Sequence, residues 1–249
     1  MRLWLPKKRC MNKKYLDSTF LLDYYDSKIQ KLIRDRNWKN LNDVERVKQI
    51  HNYVRDEIRF GYNVKDNRKA SLVLKDGYGQ CNTKSILLMA LLRSTGIECR
   101  IHGFFIDKIL QKGAMNGLIY KLAPKKILHS YVEVMVQSTW YNLEGFILDK
   151  KYLMAIQKKM IPNKDGSFFG YGIATKKFYH PEIDFNCCDT FIQKEGIVED
   201  LEIFDNPDLF LKVYNQNLSL IKGIVYRFIG RKIMNKNINN IRKNSKEEV

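Results

Sequence analysis

A chain of 249 residues with 45% apolar side chains is long enough to bury its own core, which excludes a wholly disordered protein and a small disulfide-stapled one. Its formal net charge of +17 directs attention to anionic partners, although lysine, asparagine and isoleucine recur throughout and compositional drift alone produces the same excess. Five cysteines, at positions 10, 81, 99, 187 and 188, form no even framework, and neither a signal-like apolar run nor a stretch of ~20 apolar residues occurs, so a reducing cytoplasm is the expected setting.

In chain order, residues 17–36 place Phe20, Leu21, Tyr24, Ile29, Leu32 and Ile33 at helical spacing. A second helix begins at Asn42 or Asp43, carries Val44, Val47, Ile50, Tyr53 and Val54 on one face, and ends near Phe60 and Gly61. Residues 82–95 predict a third helix, apolar on most sides and therefore buried, closed by Gly96. Strands are expected at 97–106, 128–136 and 140–147, the last two joined as a hairpin through Gln137, Ser138 and Thr139. From about residue 218 the tail reads as helical and basic. A helix followed by neighbouring antiparallel strands indicates an α+β fold. The expected division is a helical extension over 1–40, a core over 41–150, and a C-terminal extension over 151–249, all three compatible with one domain.

The chemistry concentrates around Cys81. In Asp76-Gly77-Tyr78-Gly79-Gln80-Cys81, two glycines permit a tight turn just before the third helix, which puts the cysteine at its N-terminus. Partial positive charge there favours a thiolate, and free N–H groups of the first turn can face an oxyanion. The competing reading, a buried structural cysteine, is the commoner fate of a single cysteine. His129 opens the strand His-Ser-Tyr-Val-Glu-Val, and the return strand Trp140-Tyr-Asn-Leu-Glu144 brings a carboxylate back. If Gln137 and Ser138 form a two-residue turn, Tyr131 faces Glu144, and Glu144 becomes a diagonal neighbour of His129 on the same face, about 7–8 Å away. A slip of one residue would move it to the other face. A carboxylate at that position would fix the imidazole tautomer and stabilise imidazolium.

Three segments resemble the transglutaminase core, over roughly residues 41–150: Tyr78-Gly79-Gln80-Cys81 with the helix running into Arg93-Ser-Thr-Gly96-Ile97-Glu-Cys-Arg100; the histidine strand from His129; and Trp140-Tyr-Asn-Leu-Glu144. The resemblance implies a papain-like α+β fold with the nucleophile helix packed on an antiparallel sheet. It implies Cys81 as nucleophile, His129 as base and Glu144 as orienting acid, with amide bonds of peptides or proteins as substrates through a thioester, and hydrolysis favoured over transamidation. Two departures stand out. Glutamate occupies the position of the usual aspartate, and Asn82 stands where animal transglutaminases carry tryptophan, which points away from protein crosslinking. No acidic calcium loop and no metal-ligand spacing are present, so no cofactor and no metal are expected.

The remaining histidines read as structural: His51 on an amphipathic helix, His102 in a strand, His180 in a loop. Cys99 reads as core, and the adjacent Cys187 and Cys188 lack a second ligand pair for zinc. The last 29 residues carry eight Lys/Arg against two Glu, a net of +6, with Ile224, Val225, Phe228, Ile229, Ile233 and Met234 able to form an apolar face. That tail motivates the alternative of a non-catalytic module binding a protein, a nucleic acid or a membrane surface.

Overall fold

In the computed structural model, which describes residues 12–214 and 226–243, the chain opens with α1 (Ser27–Asp35) and α2 (Asp43–Asp56). Asparagine and aspartate place the starts: the Asn42 side chain accepts from Glu45 N at 3.0 Å, and Asp26 accepts from Lys28 N at 2.8 Å. The helix expected over 17–36 is therefore shorter than its apolar pattern. Leu21 and Leu22 are buried as loop, Leu21 N donating to Asp208 Oδ1 at 3.1 Å, while Phe20 projects into solvent. Tertiary burial outweighs helical spacing upstream of the Asp26 cap.

β1 (Arg59–Phe60) follows, then α3 (Ala70–Asp76), β2 (Tyr78–Gly79) and α4 (Cys81–Ser94), with β1 and β2 pairing in parallel. β3 (Cys99–Asp107), α5 (Gly117–Leu122), β4 (Lys126–Val136) and β5 (Thr139–Leu143) come next. The chain continues through α6 (Lys150–Lys159), the hairpin of β6 (Phe168–Gly170) and β7 (Ile173–Thr175), β8 (Ile197–Phe204), α7 (Pro207–Val213) and α8 (Arg231–Lys243). A π-helical turn, Tyr226–Gly230, precedes α8. The first part of the tail expected to be helical, 218–225, lies outside the described residues.

The fold is α+β, as expected. Its main sheet is antiparallel, in the order β5-β4-β3-β8. The hairpin register is the one that a two-residue turn requires: Val136 faces Thr139 and Val132 faces Leu143. Gln137 and Ser138 both adopt positive φ, 50° and 66°, the backbone that matches strand twist in such a turn. The third strand stops at Leu143 rather than 147, because Glu144 N turns away to bond Thr190 O at 2.9 Å.

α4 is the centre of the molecule. Ile86, Leu87, Leu88, Met89, Ala90, Leu91 and Leu92 are all fully buried, so every side of the helix faces protein, consistent with the unbroken apolar run. At its far end the buried Arg93 guanidinium donates to Asp17 O at 2.7 Å and Cys99 O at 2.9 Å, tying helix, N-terminal loop and β3. Lys84 is also buried and spends its ammonium on Ile147 O at 3.0 Å and Arg55 O at 3.2 Å. Burial pulls its pKa down to about 7, opposed by the nearby carboxylate of Asp149. The same hydrophobic core includes Leu21 and Ile29 near the start, and Phe178, Met234 and Ile238 from the later half.

Gly79 is required by close approach. A Cβ there would lie 2.6 Å from Thr83 Oγ1 and 3.0 Å from Lys84 Cγ, the hydroxyl being the one that accepts from Gln80 N at the start of α4. Gly79→Ala should therefore lower stability by roughly 1–3 kcal/mol, the usual penalty of overpacking. Thermal unfolding reads this as a drop of several degrees for a chain this size; an unchanged midpoint would mean that the turn has slack which the geometry denies.

Candidate active site

Cys81 is the first residue of α4 and is partly exposed, whereas residues 82–93 behind it are buried. The preceding Gln80 is held at three points. Its Oε1 accepts from Asn63 N at 2.8 Å, its Nε2 donates to Asp66 Oδ1 at 2.9 Å, and its backbone N donates to Thr83 Oγ1 at 3.1 Å. These bonds fix the turn that delivers the thiol.

Asn82 performs the docking of helix to sheet. Its Nδ2 donates to Leu128 O at 3.3 Å, and its Oδ1 accepts from Ser130 Oγ at 2.9 Å. Leu128 and Ser130 are the two neighbours of His129 in β4. One side chain, adjacent to Cys81, thus grips the strand on both sides of the histidine.

His129 is fully buried, and its Nε2–H donates to Glu144 Oε1 at 2.9 Å. An ionised carboxylate only accepts, so this bond places the proton on Nε2 in the neutral ring. Glu144 Oε2 accepts from Ile192 N and Gln193 N, both at 2.8 Å. Its own backbone N is held by Thr190, so the longer side chain is fully engaged rather than loose. The other ring nitrogen, Nδ1, is buried with no hydrogen bond of full geometry. Burial alone would depress the pKa of His129. The charge of the neighbouring Cys81 sulfur and hydrogen bonding toward Cys81 and Glu144 outweigh it, raising the pKa to about 10. The structure thus bonds His129 to Glu144 and sets it within electrostatic reach of Cys81.

Two phenols that the sequence did not single out complete the surroundings. Tyr62 and Tyr226 each feel the Cys81 charge, and burial pushes both pKa values up, keeping them neutral. Tyr226 OH donates to Asn63 O at 3.2 Å and Tyr62 OH donates to Gln111 Oε1. Nothing in local spacing connects positions 62 and 226 to 81. The clamp that seats this tail is equally non-local: Asn235 Oδ1 accepts from Tyr62 N at 2.7 Å and its Nδ2 donates to Tyr62 O at 3.0 Å.

The other candidates are committed elsewhere. His102 has both nitrogens within 2.9 Å of carboxylates, Glu133 and Asp200, and so offers none to a thiol. His51 is buried against the Phe146 ring, and burial lowers its pKa to about 3. His180 is exposed in a loop. Cys99 is buried, which raises its pKa, while Cys187 and Cys188 are free thiols at the periphery. Cys10 lies outside the described residues. Asp149, another carboxylate beyond the hairpin, caps α6 and pairs with Arg242. Among the described residues no helix is long and apolar enough to cross a membrane.

Comparison with known proteins places this geometry in context. Residues 32–145 match the model of the transglutaminase-like superfamily. A provisionally assigned cysteine protease from Cytophaga hutchinsonii is similar at 17% identity and TM-score 0.39, covering 51% of this chain and 39% of that one. A provisionally assigned protease from Parabacteroides distasonis ATCC 8503 is similar at 18% identity and TM-score 0.35, covering 53% and 24% respectively. No curated protein matches the chain.

The charge of Cys81 is the largest influence raising the pKa of His129, so removing the sulfur should lower it. In a histidine NMR titration, His129 should keep its proton well beyond the ordinary range near 6.5 and lose it near pH 10, and in Cys81→Ala the transition should move to lower pH. An identical titration in both proteins would show that the two groups do not interact.

Proposed function

We propose that the protein is a cysteine enzyme that cleaves amide bonds of peptides or proteins, with Cys81 as nucleophile, His129 as acid–base and Glu144 as the residue that orients the histidine, a reading supported by the match of residues 32–145 to the transglutaminase-like superfamily model. The observation that carries the reading is the commitment of His129: Nε2 is bound to Glu144, which leaves Nδ1 to serve the neighbouring sulfur. A histidine with its pKa raised to about 10 is protonated at neutral pH, the state that pairs with a thiolate.

The steps follow. The Cys81 sulfur attacks the carboxamide carbon, and the carbonyl oxygen becomes an oxyanion held by the Cys81 N–H and a neighbouring donor. The imidazolium gives its proton to the departing amine, the C–N bond breaks and a thioester remains. Water then attacks the thioester while His129 takes its proton, the C–S bond breaks, and acid product and thiolate–imidazolium pair are restored. Partial exposure of Cys81 supports water as the acceptor. Glu144 acts throughout on the imidazole, holding its tautomer and stabilising its charge. Asn82 occupies the place of a tryptophan in animal transglutaminases and is spent on docking β4, which supports hydrolysis over crosslinking.

With a library of fluorogenic peptide amides, Cys81→Ala and His129→Ala should each lose at least ~10³-fold in kcat/KM while remaining folded, His129→Ala with a lower unfolding temperature because it leaves the buried Glu144 without its partner, and Glu144→Gln should lose less activity. Turnover retained in purified Cys81→Ala would refute the nucleophile assignment. An unchanged rate in Glu144→Gln would remove the orienting role.

A further inference from the structure

Charge is not evenly spread along this chain. Between Asp107 and Glu133 there is no acidic residue, and the segment holds five lysines. From 209 to 246 there is again no acidic residue, against nine Lys/Arg. The fold joins these two acid-free segments. Asn237 Nδ2 of α8 donates to Gly113 O at 2.6 Å and Ala114 O at 2.9 Å, just ahead of α5, and Ile119, Ile233, Lys236 and Asn240 line the groove between the helices.

This joined face is also apolar where it meets solvent. On α5, Leu118 and Leu122 are 69% and 45% exposed; on the turn before α8 and on α8 itself, Ile229 and Ile233 are 56% and 51% exposed. Each pair has i,i+4 spacing, so each forms a short stripe along its helix surface. Lys121 and Lys125 flank one stripe and Lys232 and Lys236 the other, all four exposed. The fold pairs Lys126 with Glu199 and Arg242 with Asp149, but among the described residues none of the four flanking lysines pairs with a carboxylate. Exposed aliphatic stripes bordered by such lysines match the interfacial layer of an anionic bilayer: acyl chains accept the aliphatic groups and lipid phosphates accept the ammoniums. A second copy of the same face would bring like charges together. A nucleic acid would answer the lysines, but the stripes are aliphatic and offer no ring for bases to stack on.

We propose that the face built from α5 and α8 seats the protein on anionic lipid bilayers. The seating is independent of the cysteine chemistry. It is held to the rest of the molecule by the Asn235 clamp on Tyr62, whose phenol lies within the electrostatic reach of Cys81, so a docked protein would carry its candidate site close to the lipid surface.

The test is co-sedimentation of the full chain with vesicles of phosphatidylcholine alone or with about 30% phosphatidylserine, at about 0.1 M salt. Binding should require the anionic lipid. Lys232→Gln with Lys236→Gln should weaken it by more than tenfold, since each cation near the surface contributes about fivefold. Leu118→Ser with Ile233→Ser should abolish the binding that persists at about 1 M salt, where the Debye length is only about 3 Å. All four side chains are exposed, so both double variants should keep the wild-type unfolding temperature. Equal binding to both vesicle types, indifference to these substitutions, or no vesicle binding alongside tight salt-sensitive binding to a random RNA would overturn the proposal.

Discussion

The docking of α4 onto β4 is the constraint on which the rest of the molecule depends. A helix buried on every side has one orientation only if polar groups select it, and the polar groups here are Asn82, Ser85 and Ser130 at the end nearest Cys81. Apolar burial of residues 86–92 supplies most of the stabilisation but little direction, since close-packed aliphatic side chains tolerate sliding better than hydrogen bonds do. The Asn82 amide supplies the register. It fixes the strand on both sides of His129, and the strand in turn carries the hairpin that returns Glu144.

Energy and chemistry are therefore arranged on the same elements. His129 is buried with a charge-favouring environment, which is costly unless partners surround it. Glu144 in turn accepts from the backbone N–H groups of 192 and 193, so both oxygens of the buried carboxyl group are hydrogen-bonded. Those N–H groups belong to the later half of the chain, beyond the residues that match the superfamily. The site thus depends on segments outside that match, as it does through Tyr226 and the Asn235 clamp.

Much of this was legible in the sequence because it is local or periodic. The Gly-x-Gly turn before Cys81, the all-apolar run of α4 and the Gln137–Ser138 turn each act over a few residues, and each appears where its residues suggest. The hairpin turn carried the most information, since its register decides the face on which Glu144 emerges. What remained hidden was non-local. The loop at 17–26 has helical spacing but is held by Asp208, nearly two hundred residues away. β8 joins β3 as an acidic edge strand with no alternation strong enough to announce it. The basic tail gave its charge in sequence but not its seat on Tyr62 and Gly113, which only the fold supplies.

The central claim is that His129 and Cys81 form a working ion pair, and thiol alkylation addresses it most directly. Iodoacetamide labelling followed by mass spectrometry ranks all five cysteines of the chain across pH. The account predicts that Cys81 is labelled fastest at mildly acidic pH, and that His129→Ala slows Cys81 there while leaving Cys187 and Cys188 unchanged. If another cysteine reacts first, or if the histidine substitution leaves the pH profile of Cys81 as it was, the pair does not exist and the site is inert or built from other residues.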